Sequence, residues 1–161
     1  MIPGIDVSSW QNPAKFDWPA LAKSGKFLIA RASYGKKPDK TFTRYAALCR
    51  EHGVVFGAYL FYRQTQTVTD QFAVWNRQLD AIGELLEGDV FPVLDMEENK
   101  RNGDGRPNPA RFGAACREIA EALRSEYGGA VLYYSSYFPD CLGAPKTYAH
   151  VEWMRESGYF H

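Results

Sequence analysis

Short apolar runs alternate with longer amphipathic stretches along most of this chain. That alternation narrows the folds open to it more than any other feature. "IPGIDVSS" (2–9), "KFLIARASYG" (26–35), "VVFGAYLFYR" (54–63), "DVFPVLDMEE" (89–98) and "GAVLYYSSYF" (129–138) read as strands. "NPAKFDWPALAKSG" (12–25) holds a short helix ended by Gly25. "KTFTRYAALCREHG" (40–53) sets Phe42, Tyr45, Ala46, Leu48 and Cys49 at helical spacing before a capping glycine. "TVTDQFAVWNRQLDAIGELL" (67–86) repeats that spacing with Phe72, Trp75, Leu79, Ile82 and Leu86. "NPARFGAACREIAEALRSEYG" (108–128) starts a helix with Pro109 in its first turn. Strands that are apolar along their whole length, joined by helices, predict an α/β fold with a parallel sheet. A doubly wound open sheet and a (β/α) barrel both fit, and both gather ligands at the carboxyl ends of their strands.

A chain of 161 residues, 45% hydrophobic, suits one domain spanning residues 1–161. Nineteen Lys+Arg balance nineteen Asp+Glu, so the basic excess of a nucleic-acid binder is missing and no nucleic-acid partner is expected. No apolar stretch approaches the roughly 18–20 residues of a membrane span. "MIPGIDVSSW" lacks the basic and apolar regions of a signal peptide, which predicts synthesis in the cytoplasm. Cys49, Cys116 and Cys141 form no CxxC pair and no zinc spacing, and read as free thiols. Neither GxGxxG after the first strand nor GxxxxGK[ST] is present, which leaves nucleotide binding without support.

"FPVLDMEENK" (91–100) drives an apolar run into a cluster of carboxylates. Asp95 and Glu97 are two apart on one expected strand and so share a face. Asp6 ends the first strand in the same sense, and in a parallel sheet both strand ends lie on one rim. Crowded carboxylates hold one acid protonated near neutrality. A protonated acid beside ionised ones is what glycosidic cleavage uses. Capping and loop formation remain ordinary roles for such acids. Three carboxylates could also hold Mg or Ca, although no His lies near them in sequence. His52, His150 and His161 read as surface or tail residues, and no Ser-His-Asp set is present. The polar loop "NKRNGDGRPNP" (99–109) follows the acids directly. Trp10, Tyr34, Tyr59, Phe61, Tyr62, Tyr133 and Tyr134 fall at or near the expected strand ends, where aromatic faces can stack on sugars or simply pack the rim.

"GIDVSSWQ" (4–11), "FLIARASYG" (27–35), "GVVFGAYLFYR" (53–63), "FPVLDMEE" (91–98) and "AVLYYSSYF" (130–138) resemble, in order and spacing, the glycoside hydrolase family 25 lysozymes. These are the Chalaropsis-type N-acetylmuramidases common in bacteriophages and bacteria. The resemblance runs to about residue 140. It implies an irregular (β/α) TIM-like barrel and cleavage of the β-1,4 bond between N-acetylmuramic acid and N-acetylglucosamine in peptidoglycan. By position it implies Glu97 as general acid, with Asp95 and Asp6 orienting substrate and stabilising an oxocarbenium-like transition state. It matches Tyr59 and Tyr133 to pocket tyrosines and implies no metal and no organic cofactor. A carboxylate nucleophile and help from the substrate's acetamido group both stay open.

Two departures stand out. Leu60 occupies a position where the family often has His, and altered substrate contacts are the expected consequence. The family continues past its fifth strand with three more, whereas only residues 139–161 remain here, so the last strands are expected to be missing. "YAHVEWMRESGYF" (148–160) can supply one at most. An unclosed barrel exposes strand edges. A second copy completing the barrel as a homodimer, an early chain end, an open sheet that keeps the acids and a fragment of a longer protein are the competing readings. Functionally, an active muramidase stands against an inactive remnant or peptidoglycan-binding domain without turnover, and more weakly against an enzyme acting on chitin. The target lies outside the membrane while no export signal is visible, which fits a phage endolysin, a virion-attached lysin or export by another route.

Overall fold

The computed structural model describes residues 3–96, 108–129 and 131–133. In chain order the elements are β1 (Gly4–Val7), a 3-10 turn (Pro13–Lys15), α1 (Trp18–Lys23), β2 (Phe27–Tyr34), β3 (Lys37–Pro38) and α2 (Phe42–His52). They continue with β4 (Phe56–Phe61), α3 (Val68–Asp80), β5 (Val93–Asp95), α4 (Pro109–Tyr127) and β6 (Val131–Tyr133). Local chemistry sets these boundaries. The side chains of Asp17, Thr67 and Asn108 accept from the backbone N–H of Ala20, Asp70 and Arg111 and so cap α1, α3 and α4. Such a cap stabilises a helix by about 1 kcal/mol. Gly53 ends α2 in the left-handed region at φ 68°.

The sheet order is β1-β2-β4-β5-β6, every pairing on that path is parallel, and β3 adds a short antiparallel pairing to β2. β3 was not expected from the sequence. A strand order that never reverses chooses between the two architectures, because a doubly wound sheet reverses at its switch point. Parallel crossovers are right-handed, so an unreversed order puts all helices on one face. The core agrees. Trp18 of α1, Phe42 and Tyr45 of α2, Trp75 of α3 and Phe112 and Ile119 of α4 share one cluster with Leu28, Ala30, Phe56, Leu60 and Leu94 of the sheet. The arrangement is that of a barrel wall. Among the described residues β1 and β6 are the two ends of the ladder and are not paired with each other. The expected further strand at 148–160 lies outside the described residues.

The opposite face is the concave one. It carries Tyr59, Phe61 and Val93, with Ile29, Tyr34 and Val90 packed against them. Between Arg31 and Ser33 the register of β2 against β4 slips, so that Arg31 pairs with Tyr59 while Tyr34 pairs with Phe61. The bulge changes which parity of β2 faces inward, and it brings both Arg31 and Tyr34 to the concave side.

Two expectations change on this geometry. Tyr62 does not belong to the aromatic rim. It is buried on the helical side, edge-on to the Phe112 ring at 5.4 Å. Leu60 also faces the helices, in the main core cluster, so the His-to-Leu departure falls in packing and not in substrate contact. Strict alternation along β4 puts Tyr59 and Phe61 on one side and Leu60 and Tyr62 on the other.

Candidate active site

The concave face opens into a cleft of about 750 Å³. Asp6, Asp95, Tyr59, Tyr34, Phe61, Trp10 and Arg31 line it, together with Ser8, Ser9 and Gln11 of the loop after β1 and the segment Lys37–Lys40. A smaller apolar recess of about 310 Å³, lined by Gly4, Phe27, Ile29 and Val93, continues beneath Asp6, Tyr59 and Asp95. Asp6 and Asp95 come from strands separated in the sheet by β2 and β4, and barrel curvature turns both toward one space. Asp95 is buried, whereas Asp6 is exposed.

Tyr59 stands between them. Burial pushes its hydroxyl well above the usual tyrosine range. The Arg31 guanidinium pulls it back in part, and the charges of Asp95, Asp6 and Asp39 raise it further. Tyr59 is therefore a neutral donor across the whole working range of pH. Tyr34 is fixed from two sides, stacked on Phe61 at 4.7 Å and covered by the Arg63 guanidinium at 4.4 Å from its ring centre. Trp10 is 86% exposed at the cleft mouth, where a large indole left in water is available to a sugar face.

Sequence reasoning passed over the network that holds this wall. Arg31 Nη2 lies 2.9 Å from Asp39 Oδ2, its Nε donates to the same oxygen at 3.0 Å, and a further donation reaches Ser9 Oγ at 3.2 Å. Asp39 also accepts from Ser9 N–H at 2.9 Å, Thr41 N–H at 2.9 Å and Thr41 Oγ1 at 2.7 Å. Burial alone would raise the Asp39 carboxyl. The Thr41 and Ser9 donors and the Arg31 charge more than offset it and hold the group below its ordinary value. One carboxylate thus joins the loop after β1, the middle of β2 and the start of α2. An Arg inside an otherwise apolar strand was the available signal.

Of the expected site residues, Asp6, Asp95, Tyr59, Tyr34 and Trp10 meet in the cleft. Tyr133 is in register with Asp95 across β5 and β6, which sets its backbone beside that of Asp95. Glu97, Tyr134 and the loop 99–107 lie outside the described residues. Among the described residues no three His, Cys, Asp or Glu side chains stand together as a metal-holding group, and no helix is long and apolar enough to cross a membrane. His52 stacks on Trp18 at 5.9 Å and does not line the cleft.

Fold and site together define a barrel-type α/β domain with an acid floor and an aromatic wall at the strand ends. The chain belongs to the glycosyl hydrolases family 25, whose model matches residues 5–157. That match runs further than the motif resemblance, which extends to about residue 140. Among solved structures, a family 25 glycosyl hydrolase from Bacillus anthracis superposes with a TM-score of 0.75 at 24% identity, covering 88% of this chain and 64% of its own. The bacterial lysozyme from Streptomyces coelicolor gives 0.70 at 21% identity, with 88% and 67% covered. The catalytic domain of the endolysin ply40 from bacteriophage P40 of Listeria monocytogenes gives 0.61 at 22% identity, with 86% and 66% covered. By sequence, the uncharacterized protein YegX of Escherichia coli K12 is 34% identical over 104 residues, 60% of this chain and 36% of that protein. The chain therefore spans only about a third of the length of that relative.

Proposed function

We propose that this domain is a muramidase that hydrolyses the β-1,4 bond between N-acetylmuramic acid and N-acetylglucosamine in bacterial peptidoglycan. One observation carries the reading: Asp6 and Asp95, from strands not adjacent in the sheet, line one cleft with Tyr59 between them in a chain of family 25. In this reading Glu97, two residues beyond Asp95, protonates the leaving oxygen. Asp95 and Asp6 carry negative charge toward the oxocarbenium-like centre that develops at the anomeric carbon. The Tyr59 hydroxyl, kept neutral by its surroundings, donates to whichever carboxylate or substrate oxygen faces it. Trp10 offers an open face to a sugar ring. The Tyr34–Phe61 stack, its Tyr34 ring already covered by Phe61 and Arg63, forms part of the cleft wall. Tyr133, in register with Asp95, is assigned in this reading as a substrate-binding tyrosine.

The test is product analysis after digestion of purified peptidoglycan. New muramic acid reducing ends support the reading. Reducing ends on glucosamine, or turnover of chitin alone, count against it. Binding to the wall polymer without any new reducing end would make this a peptidoglycan-binding remnant. The enzyme acts on the wall after release from the cell, as a phage lysis enzyme or virion-attached lysin, or after export by another route. Fractionating lysing cultures tests that placement. A homodimer that completes the barrel is tested by light scattering of the purified chain.

A further inference from the structure

The acid floor and the aromatic wall account for most of the cleft, but one side of it is cationic. The segment after the β2 bulge reads Tyr34-Gly35-Lys36-Lys37-Pro38-Asp39-Lys40. Two of its charges are engaged within the fold. Asp39 is held by Arg31, with its side chain fully buried, and Lys36 lies 3.5 Å from Asp70 on α3. Lys37 and Lys40 remain. Both are exposed, both line the cleft, and among the described residues neither is ion-paired.

Their backbone is pinned. Lys37 pairs with Tyr34 and Pro38 with Ser33 across the antiparallel turn. The turn itself requires glycine, since Gly35 sits at φ +56°. Gln66 Oε1 accepts from the Lys36 N–H at 2.6 Å, and Asp39 ties the end of the segment to Ser9 and Thr41. Two cations are thus presented from a fixed hairpin at the mouth of a cleft whose floor is anionic. The chain as a whole is neutral, so this charge is local and does not belong to a general attraction for polyanions.

Resting on the muramidase reading, we infer that Lys37 and Lys40 form a subsite for the carboxylates of the peptide branch carried by the muramic acid residues. The glycan backbone with its lactyl groups amidated is uncharged and has no use for two cations. The peptide leaves that backbone at every second sugar, and a strand lying along the acids and aromatics carries its branches out over a cleft wall. Carboxylates attracted there stay away from Asp6 and Asp95, which would repel them. The subsite therefore favours peptide-bearing strands over chitin, whose sugars bear no such branch.

Affinity is measured on soluble, uncrosslinked peptidoglycan strands, and on the same strands after their peptide carboxylates are capped as methylamides. A Glu97→Gln background keeps the strands intact. Exposed ion pairs are individually weak, so capping is expected to weaken binding about three- to tenfold, and raised salt to narrow the gap. Lys37→Gln with Lys40→Gln should bring native strands down to the affinity of capped strands and leave capped strands unchanged. Equal affinity of the unmodified hairpin for native and capped strands overturns the inference, as does an equal loss on both strands in the double variant. Loss of reducing-end release in the Glu97-containing protein would instead overturn the muramidase reading, and the affinity ratio decides the subsite either way.

Discussion

Replacing Asp39 by Asn is the sharpest test of what holds the cleft together. The substitution keeps volume and shape but removes the charge that Arg31 meets at 2.9 Å with only 13% of its own side chain exposed. It also disturbs an acceptor that serves Ser9, Thr41 and Arg31 at once. Breaking a buried pair from one side costs about 3–5 kcal/mol, because the surviving charge stays desolvated. Arg31 keeps its hydrogen bond to Ser9 and some contact with solvent, so the lower end, about 3 kcal/mol, applies. For a domain of this size each kcal/mol moves Tm by about 2–4 °C, which gives a fall of about 6–12 °C by calorimetry at pH 7. The difference is also pH-dependent. The Asp39 carboxyl is held below its ordinary value, so its contribution is complete above the unfolded value near 4 and fades as pH falls through the lower folded value. The gap between the two proteins should therefore close in strong acid. A fall under about 2 °C at pH 7, or a gap that widens in acid, would refute the assignment of Asp39 as the clamp.

Other outcomes follow from the same geometry. Tyr59→Phe removes a neutral donor between two carboxylates and should lower kcat/KM about two- to tenfold with little change in Tm. Burial pushes the Cys49 and Cys116 thiols up to about 12, so mass spectrometry after treatment with a thiol reagent at pH 8 should find both unmodified until the protein is unfolded. Gly57→Ala on the concave face of β4 would set a methyl 2.9 Å from Val90 Cβ, and should cost about 1–3 kcal/mol in chemical denaturation.

The alternation of apolar and amphipathic segments was enough to read the parallel sheet and the existence of each described α-helix, because each periodicity reports a local constraint. It did not give every boundary: the helix expected over 67–86 ends at Asp80, and Leu86 lies beyond it, 54% exposed. Strand order was not legible. It depends on which way each crossover travels, and both candidate architectures present the same alternation along the chain. The side on which β4 aims each aromatic was hidden for a related reason. All six of its residues are buried, so no polar position marks the concave side, and Tyr62 read as a rim residue when it packs against Phe112. The acids were legible because a carboxylate at the end of an apolar run has few structural uses. Arg31 and Asp39 were not, since their pairing depends on a bulge and a two-residue strand that only tertiary hydrogen bonds define.

Reducing-end release from purified peptidoglycan by the full chain, with Glu97→Gln beside it, tests the central claim most directly. An amide at that position cannot give up an acidic proton, and loss of a general acid costs about 10²–10⁴-fold. The account predicts muramic acid reducing ends from the unaltered protein and a loss of that size in the variant. Undiminished release by the variant, or none from a folded unaltered protein, would contradict it.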